Sequence, residues 1–92
     1  MTRHILKIHP TYFDAVKNGI KGFEIRKNDR DYCVGDTLCL REYDPSIKAE
    51  MDAERYTGRD VNTTIIYVIT SIDFPDGIKE GYCILGIRVN SE

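Results

Sequence analysis

The stretch Asn62 to Ser71 carries β-branched side chains at Thr63, Thr64, Ile65, Ile66, Val68, Ile69 and Thr70. Such residues lose side-chain freedom in a helix and pack well on a pleated surface, so this run reads as a strand. A strand needs a sheet, and the flanking sequence supplies one. Arg3 to Ile8 alternates His4, Leu6 and Ile8 against Arg3, Ile5 and Lys7, a period of two that predicts a strand with one apolar face. Thr37 to Tyr43 predicts another with Leu38 and Leu40 inward, launched by the turn residues Val34-Gly35-Asp36. Gly81 to Val89 is apolar at nearly every position and predicts a closing strand, with Gly86 as a bulge or a point of close approach.

Pro10 to Gly19 has a different rhythm. Phe13, Val16 and Ile20 recur at helical spacing, Pro10 stands where a first turn tolerates it, and Gly19 fits a left-handed stop. Gly22 to Lys27 returns to alternation, predicting a strand with Phe23 and Ile25 on an apolar side and Glu24 and Arg26 on an outward, charged side. Lys27 to Asp31 is a polar loop. Residues 44–58 contain Pro45 and the charges Asp44, Lys48, Glu50, Asp52, Glu54 and Arg55, which predicts a long flexible connection or a marginal helix. Asp73-Phe74-Pro75-Asp76-Gly77 breaks the β-branched run. The sum is an α+β, mainly β chain: a small mixed β-barrel or curled sheet of about five to six strands with one or two short helices.

With 92 residues and 41% hydrophobic content, the chain closes one core, so residues 1–92 are read as a single domain, for which a monomer suffices. No apolar run approaches the roughly 18 to 20 residues of a membrane-spanning helix. The start Met1-Thr2-Arg3-His4 has no apolar stretch behind it, so no membrane is expected as a partner and the expected compartment is the cytoplasm. The three cysteines, Cys33, Cys39 and Cys83, are odd in number and lack Cys-x-x-Cys spacing. Each neighbours apolar residues, which predicts small hydrophobes in or near the core, with neither metal nor cofactor expected. His4 shares its strand face with Leu6 and Ile8 and reads as an inner histidine; His9 before Pro10 reads as a residue at the start of the helix.

Net charge is −2, so no basic field covers the whole molecule. Locally the balance reverses, since Lys17, Lys21, Arg26, Lys27 and Arg30 outnumber Glu24, Asp29 and Asp31. Arg26 and Arg30 suit bidentate bonds to phosphate or a guanine edge, and Glu24 could accept from an exocyclic amine. Asn28 and Asp29 can read a base edge or cap the loop. Lys21 serves as a phosphate contact or, if buried against apolar neighbours, as a base or nucleophile. Tyr32, Tyr43 and Tyr56 flank the polar segments as stacking platforms or core residues, and Arg59 after Tyr56-Thr57-Gly58 can add a cationic wall.

The spacing Gly19-x-Lys21-x-x-Glu24-x-Arg26 after a short helix resembles the signature of ASCH domains, a branch of the PUA-like superfamily. The run Phe23 to Tyr32, with Val34-Gly35-Asp36, Arg41-Glu42-Tyr43, Tyr56-Thr57-Gly58-Arg59 and His4-x-Leu6-Lys7-Ile8, is similar to a group of short bacterial and phage ASCH-like domains of unknown function. The resemblance implies a PUA-like barrel and a cleft beside the signature for RNA or a nucleotide-like ligand. One ASCH branch hydrolyses an acylated cytidine with a lysine, a threonine and a glutamate. Lys21 falls on that lysine, but Glu24 stands where that branch has threonine, so the catalytic set is not carried over intact.

The expected function is thus an RNA- or nucleotide-binding module, using Lys21, Glu24, Arg26, Lys27, Asn28, Asp29, Arg30, Tyr56 and Arg59. The alternative is a small amidohydrolase-like enzyme acting on a modified nucleoside through Lys21 and Glu24. A regulatory or host-interaction protein with a vestigial cleft is a third reading. A catalytic Lys21 belongs in a partly closed pocket with a carboxylate in reach, whereas a phosphate-binding lysine lies open with Arg26 or Arg30 nearby. The cysteine pattern yields a direct test: chelator and reductant should each leave the melting temperature unchanged, and a loss of several degrees with either would show a metal or a disulfide.

Overall fold

The computed structural model describes residues 1–91; residue 92, the last of the expected domain, lies outside them. The elements are β1 (Arg3–Ile8), α1 (Pro10–Lys17), β2 (Phe23–Lys27), β3 (Thr37–Tyr43), a 3-10 turn (Asp52–Arg55), β4 (Tyr56–Thr70) and β5 (Tyr82–Val89). They form one five-stranded sheet in the order β1-β3-β4-β5-β2, curled into a half-barrel. β1 runs parallel to β3, and every other pair is antiparallel. The chain is α+β and mainly β, as its patterning predicts.

The concave face holds the core. Leu6 and Ile8 of β1, Leu38 and Leu40 of β3, Val61 and Ile65 of β4, and Leu85 and Ile87 of β5 pack together. α1 covers them with Phe13 and Val16. Burying each such side chain stabilises the fold by about 1.5–3 kcal/mol before entropy is counted. The helix starts where Pro10 allows it, and the His9 ring nitrogen Nδ1 accepts from the Thr11 N–H at 3.1 Å. It stops at Gly19, whose φ of +74° only glycine adopts without strain. Ile20, at helical spacing in the sequence, falls beyond that stop and is 80% exposed.

Three details depart from the sequence pattern. β4 begins at Tyr56, well before Asn62, so the last residues of the 44–58 connection belong to a fifteen-residue strand. Cross-strand pairing of Tyr56 with Tyr43 and of Asp60 with Arg41 recruits this polar, glycine-containing stretch despite its weak β propensity. Gly86, expected as a bulge or a point of close approach, is the close approach, and the bulge lies on the strand across from it. The register shifts between Ile65 and Tyr67, and Tyr67 comes so close that a Cβ on Gly86 would stand 3.3 Å from the tyrosine's own. Cys33 is exposed rather than core-like, because it lies in the loop before β3, while Cys39 and Cys83 are buried.

Buried polar groups are satisfied throughout: among the described residues, no buried side-chain nitrogen or oxygen lacks a hydrogen-bond partner. Asp36 is the main internal acceptor near the chain's start. Its carboxylate accepts from the Thr2 N–H at 3.1 Å and the Cys33 N–H at 3.0 Å, and meets His4 Nε2 at 2.9 Å. His4 is therefore the satisfied inner histidine its strand face predicts, with the Tyr32 ring 4.8 Å away.

The His4 contact, then the Thr2 N–H, hold the Asp36 carboxyl below its ordinary value of 3.8. A depressed folded-state value means that Asp36 contributes its full stability above pH 3.8 and loses it as pH falls below that. Asp36→Ala should cost about 2–3 kcal/mol at neutral pH, seen as a lower melting temperature, and should flatten the acid limb of the stability profile. An unchanged melting temperature would remove Asp36 from this role.

Candidate functional site

The half-barrel leaves β1 and β2 as its two edges, and they are not paired with each other. Side chains bridge the seam instead. Arg26 Nη2 donates to the Lys7 carbonyl at 2.6 Å, and Arg30 Nη1 to the Ile5 carbonyl at 3.4 Å. Beside this bridge lies a cleft of about 510 Å³, lined from β1, the helix cap and α1 by Lys7, His9 and Tyr12 and from the β2 side by Lys21, Phe23, Glu24 and Arg26.

The phase of β2 is the reverse of the one its sequence suggests. Glu24 and Arg26 pair with Leu85 and Cys83, which face inward, whereas Phe23 and Ile25 stand on the outer face and are exposed. Period-two alternation assigns residues to two faces without saying which is inner. Here the inner face of an edge strand looks into the seam rather than the apolar core, so it takes the charges.

Glu24 is the centre of that arrangement. Its side chain is 5% exposed, and both carboxylate oxygens are engaged. Oε2 accepts from Lys21 Nζ, and Oε1 accepts from Arg26 Nε at 3.1 Å and Nη2 at 2.7 Å. Burying a carboxylate this deeply is costly unless cations and donors surround it, and Lys21 and Arg26 do both. Glu24 thus aims two cations at the cleft, and its own acceptor capacity toward a ligand is largely taken up.

Lys21, 19% exposed at its side chain, also donates to the Phe23 carbonyl at 2.7 Å, leaving one ammonium hydrogen for another partner. Its Nζ stands 4.8 Å from the Phe23 ring centroid and 5.5 Å from that of Tyr12. Both rings are about half exposed. Tyr12 lies in the helical segment and Phe23 on the apolar side of its strand; neither belongs to a motif, and only the fold brings them to Lys21.

The other sequence-selected residues spread out along the seam. Arg30 and Tyr56 line a second cavity of about 310 Å³, together with Lys7, Arg26 and Arg41. Lys27 and Asp29 line a shallow 250 Å³ recess beside Tyr32, while Asn28 is exposed and tied by its N–H to the Gly81 carbonyl at 2.8 Å. Arg59 stands apart from all three. It bonds Glu42 through Nε at 3.0 Å and Nη2 at 2.7 Å, reaches Asp14 at 3.2 Å, and lies 4.4 Å over the Phe13 ring. Thr57 adds a 2.6 Å hydroxyl bond to the same buried Glu42. Arg59 first, then Thr57, hold the Glu42 carboxyl below its ordinary range. This is a clamp fastening β3, β4 and α1, and no local pattern around Glu42 signals its part in it.

A depression of about 660 Å³ between Arg3, Lys17, Asp60, Asn62 and Asn90 contains none of the binding residues expected from the sequence. Among the described residues, no group of His, Cys, Asp and Glu side chains is arranged to hold a metal ion, and no helix is long and apolar enough to cross a membrane.

Comparison with known proteins adds two findings. The family model described as Domain of unknown function (DUF3850) matches residues 3–87. A relative from Escherichia phage P2, described as an uncharacterized 12.9 kDa protein in the GpA 3' region, is 37% identical over 83 residues, covering 90% of this chain and 69% of its own length.

The geometry separates clamp from cleft in a measurable way. Arg59→Ala leaves Glu42 buried without its cation and should lower stability by about 3 kcal/mol, read as a shift in the denaturant midpoint. Adding Glu42→Gln to that variant should restore much of the loss. A single variant as stable as the parent would contradict the clamp.

Proposed function

The chain belongs to the DUF3850 family, and from that premise we propose that its seam binds a nucleotide-like ligand, either a free nucleotide or a segment of RNA. The observation that carries this reading is the Lys21 ammonium, held by Glu24 beside two half-exposed aromatic rings in an open cleft. Stacking on an aromatic ring is worth about 1–3 kcal/mol per base and suits any base, while a neighbouring cation serves the phosphate. Arg26, bonded to the same carboxylate, adds a second cation.

The same proposal places the family in the ASCH branch of the PUA-like superfamily. Supporting it are the Gly19-x-Lys21-x-x-Glu24-x-Arg26 spacing and the cleft beside it. The cytoplasm is the proposed compartment, a reading supported by three thiols that remain unpaired.

One observation favours the second reading, a small hydrolase of modified nucleosides: Lys21 is mostly enclosed and has a carboxylate in hydrogen-bond reach. Against it, both Glu24 oxygens are engaged by cations, so this carboxylate is placed to anchor rather than to shuttle a proton.

Titration calorimetry with short single-stranded RNAs, nucleotides and acylated nucleosides tests both readings. Tyr12→Leu should weaken binding by about 1–3 kcal/mol with little change in melting temperature, because only a stacking surface is removed. Lys21→Ala should cause a salt-sensitive loss across all phosphate-bearing ligands. For a hydrolase, Lys21→Ala and Glu24→Gln would instead abolish turnover and keep binding. If Tyr12→Leu and Lys21→Ala bind every probe as the parent does, the cleft is not the site.

A further inference from the structure

Lys7 and Arg26 line the cleft on one side and, on the other, the second cavity of the seam. That cavity is lined by Lys7, Arg26, Arg30 and Arg41 with Tyr56, Ile5 and Leu6, and no carboxylate lines it. Such a gathering of like charge in a chain of net charge −2 is unfavourable on its own. An anion seated there would relieve it.

The four cations differ in what already neutralises them. Arg26 is committed to Glu24, and among the described residues Lys7 has a single acidic partner, Asp52 at 3.8 Å, both of them more than half exposed, so that pair is weak. Neither Arg30 nor Arg41 has a carboxylate within 4.0 Å among the described residues. Arg30 makes a long 3.4 Å bond to the Ile5 carbonyl, which leaves most of its fork unspent. Arg41 lies with its guanidinium carbon 4.2 Å from the Tyr56 ring centroid. The Tyr43 ring braces Tyr56 edge-on at 5.1 Å, and its hydroxyl bonds Asp52. A planar fork stacked on a braced ring is held in place before any ligand arrives.

Resting on the reading of the seam as a nucleotide site, we infer that this second cavity is its phosphate subsite and that the ligand is phosphorylated. The base stacks in the Tyr12–Phe23 cleft with the phosphate nearest it on Lys21, and the further phosphate oxygens meet Arg30 and Arg41, with Lys7 and Arg26 between the two. The phosphate chemistry is common to the terminal phosphates of a mononucleotide and the diester backbone of RNA. Guanidinium forks match both through paired N–H···O bonds.

Inorganic tripolyphosphate tests the subsite without a base. It should bind the intact protein in titration calorimetry, with affinity falling as salt rises. Arg30→Gln and Arg41→Gln should each weaken it by about tenfold or more, as expected for a lost charged hydrogen bond, while Lys17→Gln on the helix should not. Melting temperatures exclude unfolding as the cause.

If tripolyphosphate does not bind, or binds equally to both arginine variants, the subsite is wrong even where nucleosides still bind the cleft. If it binds through Arg30 and Arg41 while the four nucleosides do not bind and their triphosphates bind no tighter than tripolyphosphate, the subsite stands and the base-binding reading falls. A nucleoside triphosphate that binds more tightly than a dinucleoside monophosphate identifies terminal phosphates as the source. The reverse order identifies the RNA backbone, and either order supports the subsite.

Discussion

Five strands curl far enough to enclose a core but not far enough for β1 to pair with β2, and much of the molecule follows from that unclosed seam. A free edge presents backbone groups that must find partners, and it invites pairing with other chains. Here arginine side chains of β2 and the following loop take two carbonyls of β1, at Lys7 and Ile5. The inward charge on β2 is a known way of keeping an edge strand from adding another strand. Glu24 makes this tolerable by binding Lys21 and Arg26, all within a few residues of the helix stop at Gly19.

Three buried carboxylates fasten the rest. Asp36 ties the first residues of the chain to the loop before β3, Glu42 ties β3 to β4 and through Arg59 to α1, and Glu24 organises the seam. Glu42 continues the inner face begun by Leu38 and Leu40, just as Glu24 shares an inner face with Leu85. In both cases a buried acid is satisfied by cations, Glu42 by Arg59 of β4 and Glu24 by Lys21 and Arg26 of its own segment. What differs is access: Glu24's partners line an open cleft, whereas Arg59 is held by two acids against Phe13.

The strands with local signals were legible from the sequence, including the β-branched run of β4, the His4 face of β1, the inner leucines of β3 and the helix with its glycine stop. The phase of β2 was not. Phe23 and Ile25 are apolar enough to claim a core position, and only knowing that β2 is an edge beside an open seam assigns Glu24 the inner side. The early start of β4 depends on pairing with Tyr43 and Arg41. Likewise the local cluster Lys21, Glu24 and Arg26 could be read along one strand, but Lys7, Tyr12 and Arg41 come from other elements and meet it only after folding.

Under the proposed function, the reversal of β2 acquires a purpose. A strand with Phe23 inside and Glu24 outside would seal the edge with apolar packing and leave the acid in water, where solvent and salt would weaken its hold on Lys21 and Arg26. Turned over, the strand places the acid where low polarity strengthens its grip on both cations, and exposes an aromatic ring at the lip of the cleft. The cost is an exposed Phe23 and Ile25 on the outer face. The alternation of β2 read alone would favour the opposite phase, and such a local conflict between pattern and packing is the kind that accompanies a working surface.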